Sequence, residues 1–218
     1  MTRILVFGTS VDHGFYDTEG GWVQRLREKL DKYTINNQDD YSIYNLSISG
    51  DTTERILNRM ENEIKARNND EALQIWLEVG GGNDSQVELE TGENWISREA
   101  FKENVEACID IAEDYADEVV LFTTTPVDES LVYPMPWKKS HGYKNSEKED
   151  YTKILREIVE NRELTLVDFF REIDKEAWKD RLEDGVHPNA EGHEQLYRIA
   201  KSELKKRELI PEDLDSRP

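Results

Sequence analysis

Four short polar segments of the sequence contain groups that are able to act together in acid–base or nucleophilic chemistry. They supply a hydroxyl, a glycine backbone, an amide, and a carboxylate close to an imidazole. The segments are Gly8-Thr9-Ser10, Ser49-Gly50-Asp51-Thr52, Gly81-Gly82-Asn83-Asp84 and Asp184-Gly185-Val186-His187-Pro188. A serine hydroxyl is a poor nucleophile until a neighbouring base takes its proton, and a neutral imidazole suits that task near pH 7. The segments are therefore candidates for one site, provided that the fold brings them together.

Short apolar runs alternate with amphipathic segments along the chain. The apolar runs 4–7, 41–48, 73–79, 118–123 and 164–169 predict five buried strands. Apolar residues at three- and four-residue steps predict helices over 22–33, 52–66, 98–115 and 147–161, and a last helix that begins near Pro188 and Asn189. This alternation predicts an α/β fold: a three-layer α/β/α, flavodoxin-like sandwich with a five-stranded parallel sheet in the order 2-1-3-4-5.

That strand order predicts where the four segments meet. In an open parallel sheet, ligands bind outside the carboxyl ends of the strands, near the point where the strand order reverses. The first three segments follow the first three strands, which are neighbours in the predicted sheet. We therefore expect Ser10, Gly50 and Asn83 at one edge of the sheet, and His187 close to them at the start of the last helix.

The four segments resemble the motifs of the SGNH hydrolase superfamily, also called GDSL esterases and lipases, and most closely its compact bacterial lysophospholipases and acyl esterases. The matching residues are Phe7-Gly8-Thr9-Ser10 followed by Gly14, Gly50 within Asn45-Leu46-Ser47-Ile48-Ser49-Gly50-Asp51-Thr52-Thr53, Gly81-Gly82-Asn83-Asp84, and Asp184-Gly185-Val186-His187-Pro188. Each motif is weak alone, but all four in this order form a specific signal. The resemblance implies a serine hydrolase that cleaves ester bonds without a cofactor or a metal.

The resemblance also implies a role for each of five residues. Ser10 is the nucleophile, and Asp184 and His187 complete a Ser-His-Asp triad. Ser10, Gly50 and Asn83 form the oxyanion hole. Physical chemistry supports these roles, because a carboxylate three residues before the histidine is close enough to orient the imidazole and stabilise its charged form. Preorganised N–H donors stabilise the negative charge that develops on the carbonyl oxygen.

Some positions depart from the family pattern. Thr9 stands where relatives commonly have aspartate, and Ser47 where they often have glycine. We expect these changes to alter the support of the loops and to leave the chemistry intact. His13, three residues after Ser10, is either a second base or, as we favour, a loop histidine with satisfied hydrogen bonds. His141 is expected to be an exposed loop residue and His193 a packed helix residue.

Two long connections, 80–97 and 126–146, are expected to shape the substrate pocket. The aromatic residues of the second connection form either a substrate wall or lid, or a packed anchor for the loop. Short-chain carboxylic esters, lysophospholipids, thioesters and acetylated sugars all need the same triad, so the substrate stays open. Trp95, Tyr133 and Trp137 could stack against a sugar ring. Trp22 and Trp178 are expected in the core or at its edge.

Other classes of function have less support in the sequence. A flavodoxin-like module that binds an anion or nucleotide uses the same fold, but no glycine-rich phosphate-binding pattern follows the first strand. A metal hydrolase is disfavoured because the four histidines are scattered and no helical His-Glu-x-x-His pair occurs.

Composition limits the partners and the environment. The 218 residues include 48 acidic and 28 basic ones, a net charge of −20, which disfavours nucleic acid and anionic lipid as main partners. Cys108 is the single cysteine, so no intramolecular disulfide forms. We find no signal peptide and no uncharged apolar run of membrane-spanning length, and expect a cytoplasmic monomer or small homo-oligomer that acts on a small-molecule ester.

Residues 1–210 are predicted to form one domain, with 211–218 as a polar C-terminal tail.

Overall fold

Strands and helices alternate along the computed structural model, which describes residues 1–37, 40–69 and 71–214. The strands are β1 (Thr2–Phe7), β2 (Tyr41–Asn45), β3 (Ala72–Glu78), β4 (Val87–Glu88), β5 (Glu118–Phe122), β6 (His141–Gly142) and β7 (Thr165–Val167). The helices are α1 (Ser10–His13), α2 (Gly21–Asn37), α3 (Thr53–Lys65), α4 (Arg98–Glu113), α5 (Glu129–Val132), α6 (Asn145–Arg162), α7 (Phe169–Glu172), α8 (Lys175–Lys179) and α9 (Ala190–Lys206). The long helices and the main strands lie where the apolar periodicity predicts them. The short helices α1, α5, α7 and α8 have too few residues to show a periodic pattern.

One parallel sheet organises the described part of the chain. Its strands lie in the order β2-β1-β3-β5-β7. Counted over the strands of this sheet, that is the predicted order 2-1-3-4-5, because β4 and β6 pair with each other outside it. The carboxyl ends of β1, β2 and β3 therefore lie side by side at one edge. The predicted α/β fold class is confirmed.

Alternate residues of the central strands pack on opposite faces of the sheet. Ile4, Val6 and Trp76 belong to a buried cluster that includes apolar residues of α2 and α9. Leu5 and Ile75 belong to a second cluster with apolar residues of α3, α4 and α6. Since both faces are covered, the strands are apolar on both sides, which explains their continuous apolar runs.

The second strand is shorter than its apolar run predicts. The side chain of Asn45 leaves the strand pattern: its Nδ2 donates to the carbonyl of Asp12 at 2.7 Å, and its Oδ1 accepts from the N–H of Ser47 at 3.1 Å. An asparagine that bonds the backbone two residues on makes a turn of its own. The chain therefore turns after Asn45, and residues 46–48 form the approach to the Gly50 segment.

The last strand of the sheet is also shorter than predicted. Asp168 follows β7 at once, and its Oδ1 accepts from the N–H of Arg171 at 3.1 Å. A carboxylate in this position caps a helix N-terminus and satisfies a free backbone donor. As a result, Phe169 begins α7 and no longer belongs to the strand.

The C-terminal residues are more closely attached to the fold than a polar tail would be. Leu214 is buried in the same cluster as α2 and α9, because its apolar side chain gains by leaving water. The rest of the predicted tail, 215–218, lies outside the described residues. The domain boundary at residue 210 stays a prediction.

Trp22 and Trp178 are buried, as expected from the sequence, and so is Cys108. Cys108 lies in α4, and burial raises the pKa of its thiol to about 12. Among the described residues, no helix is both long and apolar enough to span a membrane.

Candidate active site

Ser10 stands where β1 turns into the short helix α1. Gly8, just before it, passes so close to Asp12 that an added Cβ would lie 2.4 Å from the carboxylate Oδ2. Only glycine fits there. The Asp12 Oδ2 accepts from the N–H of Thr9 at 3.0 Å, which holds the turn in place. This tight turn leaves the Ser10 side chain at the carboxyl end of β1.

Three side chains form a chain of hydrogen bonds at this edge. Ser10 Oγ lies 2.9 Å from His187 Nε2, and His187 Nδ1 lies 2.8 Å from Asp184 Oδ2. When Nδ1 donates its hydrogen to the carboxylate, Nε2 is left to accept the hydrogen of the serine hydroxyl. Ser10 and His187 are 177 residues apart in the sequence, so only the fold brings them together.

A local turn supports the histidine. Asp184 Oδ1 accepts hydrogen bonds from the backbone N–H groups of Val186, at 2.9 Å, and His187, at 2.8 Å. Burial opposes the charge of Asp184, but the hydrogen bonds from His187 and Val186 outweigh it and lower the pKa of that carboxyl. The residue after Pro188, Asn189, caps α9 by accepting from Glu191 and Gly192 N–H groups. His187 is thus held between a turn and a helix start.

Gly50 and Asn83 line the same cavity as Ser10 and His187. Gly50 has a φ of 84°, a backbone conformation that favours glycine. Its need for glycine comes from this conformation, since an added Cβ would meet no atom within 4 Å.

The amide of Asn83 is oriented from both ends. Its Nδ2 donates to the carbonyl of Asp51 at 2.7 Å, and its Oδ1 accepts from the Tyr143 hydroxyl at 2.8 Å and from Gln86 Nε2 at 3.1 Å. The Tyr143 hydroxyl in turn accepts from Gln86 Nε2 at 2.8 Å. An amide nitrogen carries two hydrogens, so one donor remains after the bond to Asp51. Asn83 can offer this donor to a ligand in the cavity.

Buried charges lie beneath the Ser10 turn. Asp12 also accepts from Trp22 Nε1 at 3.0 Å, and the Thr9 hydroxyl donates to Glu78 Oε2 at 3.3 Å. Burial raises the pKa of Asp12 to about 6; burial and the nearby charge of Asp12 raise that of Glu78 well above its ordinary value. Burial lowers the pKa of Lys148 to about 8, against the opposing charge of Glu78. The expectation that Thr9 changes the support of the loop fits this arrangement.

The rim of the cavity is aromatic. The rings of Phe15, Tyr16 and Trp137 lie 4.9, 5.6 and 6.3 Å from the His187 ring. Trp95 and Lys138 line another part of the wall. The cavity has a volume of about 470 Å³. It is large enough for a small ester and for part of a longer chain.

The connection 126–146 combines both roles that the sequence left open. Its residues Val127, Val132, Met135 and Tyr143 form a small buried cluster with Val186. β6, on the same connection, pairs with β4. Other residues of the connection face the cavity. The loop is therefore anchored by its own core and also contributes to the wall of the site.

The remaining histidines lie away from the cavity. His13 is exposed and does not line it. His141 is partly buried, and its ring lies 6.3 Å from the Trp95 ring, so the expectation of an exposed residue is wrong. His193 is fully buried, as a packed helix residue should be, and burial lowers its pKa to about 4.

In the described ranges, no group of three or more histidine, cysteine, aspartate or glutamate residues could hold a metal ion.

Several residues of the site were missed by reasoning from the sequence. They are Asp12, Phe15, Tyr16, Gln86 and Lys138. The pair Phe15-Tyr16 follows the Ser10 segment closely, so its place at the rim could have been anticipated. Nothing in the sequence indicates that Gln86 orients Asn83 or that Asp12 is buried, because both facts depend on packing between distant segments.

Solved structures share this fold. A lipase/acylhydrolase from Enterococcus faecalis has a TM-score of 0.70 at 23% identity, covering 95% of this chain and 97% of that one. The acetyl xylan esterase AlAXEase has a TM-score of 0.70 at 21% identity, covering 92% and 98%. The protein TesA has a TM-score of 0.65 at 23% identity, covering 94% and 98%. At these identities the likeness shows the fold.

Sequence comparison gives a more specific result. No curated protein is significantly similar to this chain. A model of the GDSL-like lipase/acylhydrolase family, however, matches residues 5–195, a range that includes all four polar segments. The match confirms the family resemblance read from the motifs. The chain belongs to the GDSL-like lipase/acylhydrolase family.

Proposed function

We propose that this protein is a serine esterase in which Ser10 attacks the carbonyl carbon of a carboxylic ester. The observation that carries the proposal is the continuous hydrogen-bonded chain from Ser10 through His187 to Asp184, with contacts of 2.9 and 2.8 Å. A hydroxyl, a base and an orienting carboxylate in this order are the parts that activate a serine nucleophile.

The reaction has two halves. His187 takes the proton of Ser10 as the hydroxyl oxygen bonds to the carbonyl carbon, and then gives that proton to the leaving alcohol as the ester bond breaks. A water molecule next gives a proton to His187 and attacks the acyl-serine. His187 then gives this proton to the Ser10 oxygen as the bond between that oxygen and the acyl carbon breaks, which releases the acid and restores the hydroxyl. Asp184 stabilises the imidazolium in both halves and stays ionised, in keeping with its lowered pKa.

The negative charge on the carbonyl oxygen needs donors that are already in place. We assign this task to the backbone N–H groups of Ser10 and Gly50 and to the side-chain amide of Asn83. The contacts of Asn83 with Asp51 and Tyr143 support the assignment, because they hold the amide before any substrate arrives. Donors that need no reorganisation stabilise the transition state most effectively.

The cavity favours a small or single-chain acyl ester. Its volume of about 470 Å³ and its aromatic rim suit a short-chain ester or one chain of a lysophospholipid. A second candidate is the acetyl ester of a carbohydrate, because Trp95 and Trp137 both line the cavity and are partly exposed, as a ring-stacking surface requires. A thioester is open to the same attack. A panel of acyl chain lengths, acetylated sugars and thioesters would rank these classes.

The central test is Ser10→Ala. Turnover of 4-nitrophenyl butyrate should fall by at least about a thousandfold, and a fluorophosphonate probe should label the wild type and not this variant. Ser140→Ala is the matched control. Ser140 Oγ also lies 2.9 Å from a histidine nitrogen, Nδ1 of His141, but outside the cavity. Full activity in Ser10→Ala, or loss of labelling in Ser140→Ala alone, would place the nucleophile elsewhere.

The role of the histidine is tested by pH. The value of kcat/KM should fall as the solution is made more acidic, because a protonated imidazole cannot accept the serine proton. A value that does not fall on the acid side would contradict the assignment of His187 as the base.

A further inference from the structure

Charge is distributed unevenly along this acidic chain. Residues 130–146 form its longest stretch without aspartate or glutamate, and they contain Lys138, Lys139 and Lys144. The same stretch supplies a wall of the cavity that holds Ser10 and His187. Of the three lysines, Lys138 lines the cavity, in a protein whose net charge is −20.

Lys138 lies in that wall without a carboxylate partner. Its Nζ is 4.2 Å from the centroid of the Trp95 ring, and no carboxylate of the described residues lies within 4 Å of it. Surface lysines such as Lys65 and Lys179 have carboxylates at 2.8 and 2.7 Å. An unpaired cation is notable in a chain with so many acidic residues.

The environment of Lys138 favours an incoming anion. The side chain is partly buried, and burial lowers its pKa, although the charge of Glu88 acts in the opposite direction. A partly desolvated ammonium has lost water contacts that its neighbours do not replace. An anionic group of a ligand would restore a charge-assisted hydrogen bond.

A second cation lies at the same side of the cavity. The guanidinium carbon of Arg55 is 5.9 Å from the centroid of the Trp95 ring, and its Nη1 donates to the carbonyl of Gly50 at 3.5 Å. Trp95 thus has two cationic side chains near its ring, and one of them also contacts the backbone of Gly50.

We propose that Lys138 binds a carboxylate or phosphate group on the substrate, and that the preferred substrates are small esters that bear a negative charge. This inference rests on the proposed esterase function. It assigns Lys138 to binding and leaves the chemical steps unchanged. Electrostatic attraction from Lys138 distinguishes such esters from neutral ones of the same shape.

The test compares charged and neutral esters in matched pairs. Mono-4-nitrophenyl glutarate and its methyl ester place the charge on the acyl side, and 4-acetoxybenzoate and 4-acetoxybenzamide place it on the alcohol side. Octanoyl glycerol phosphate and octanoyl glycerol represent a lipid headgroup. For each pair, the ratio of kcat/KM is measured in the wild type and in two variants. Because the same substrates are compared in each protein, their intrinsic reactivities cancel.

The two variants are Lys138→Met and Lys139→Met. Both remove one positive charge, but Lys139 is exposed and does not line the cavity. In at least one pair, Lys138→Met should lower the charged-to-neutral ratio by about tenfold or more, mainly through KM, since a hydrogen bond to a charged group is lost. Lys139→Met should leave the ratio within about twofold. Hydrolysis of the neutral esters shows that each variant is folded.

Two results would overturn the inference. One is an unchanged ratio in Lys138→Met for all three pairs, and the other is an equal change in both variants, which would indicate only a long-range effect of charge. If neutral esters are still cleaved in a Ser10-dependent way, the esterase function survives either result. If no pair is cleaved in a Ser10-dependent way, the proposed function itself fails.

Discussion

The floor and the rim of the candidate site are built differently. The floor consists of Ser10, which begins α1 directly after the turn that follows β1, and Asn83, whose side-chain amide is held by hydrogen bonds on both its nitrogen and its oxygen; each residue is about 9% exposed. The rim includes Trp95 and Trp137, which are 39% and 53% exposed and belong to the long connections. Groups that must meet a reacting atom are largely buried and held by hydrogen bonds, whereas groups that select a substrate are more exposed. Substitutions in the floor should therefore change kcat, and those in the rim should change KM.

The largest effect in this comparison is expected for Asn83→Ala in the floor. Loss of one oxyanion donor typically lowers kcat by about a hundred- to a thousandfold, or about 3 to 4 kcal/mol of barrier. KM for 4-nitrophenyl butyrate should change little. Asn94→Ala is the control, because Asn94 lies on the same connection, and its Nδ2 donates to the Ser85 carbonyl and not into the cavity. Equal losses in both variants would contradict a catalytic role of Asn83.

A smaller effect is expected for Tyr143→Phe, where the rim loop supports the floor. The change removes the hydroxyl that donates to Asn83 Oδ1 at 2.8 Å and leaves the Gln86 contact at 3.1 Å. We expect kcat to fall by roughly tenfold, since one of two orienting bonds on the amide oxygen is lost. Tyr133→Phe, on the same connection, should retain normal kinetics. A change in KM with an unchanged kcat would indicate that Tyr143 acts in substrate binding, as the rim residues do, and that it does not orient Asn83 for catalysis.

The smallest effect is expected for Trp137→Ala in the rim. The ring is half exposed and lies 6.3 Å from His187, so its loss removes contact area and leaves the reacting groups in place. KM should rise by about three- to tenfold with kcat nearly constant, consistent with the loss of about 1 kcal/mol of aromatic contact. Leu131→Ala is the control, since Leu131 is equally exposed and lies outside the cavity. A large fall in kcat for Trp137→Ala would break the distinction between floor and rim.

Reasoning from the sequence was most accurate where the relevant interactions are local. The strands were predicted from short apolar runs, and the ends that were missed, at Asn45 and Asp168, are set by single side chains that bond nearby backbone. The relation between Asp184 and His187 was also visible, because it spans three residues. Apolar periodicity and hydrogen bonds between residues close in the sequence can be recognised from the sequence alone.

The sequence-based predictions were least complete for contacts between residues that are far apart in the sequence. No pattern in the sequence indicates that Tyr143 orients Asn83, which is 60 residues away, that Glu78 lies beneath the Ser10 turn, or that Lys138 contacts Trp95. The sequence also left the role of the connection 126–146 undecided. Each of these facts depends on how helices and loops pack against the sheet.

The order of strands and helices along the chain, the polar segments that follow the strands, and the family of this protein can all be recognised from the amino-acid sequence. These features follow from periodic burial and from short motifs, which are local properties of the chain. Three-dimensional packing establishes which side chains meet, which titratable groups are buried, and which cation lines the cavity. Such contacts join residues that are far apart in sequence, and their formation depends on the packing of the whole domain.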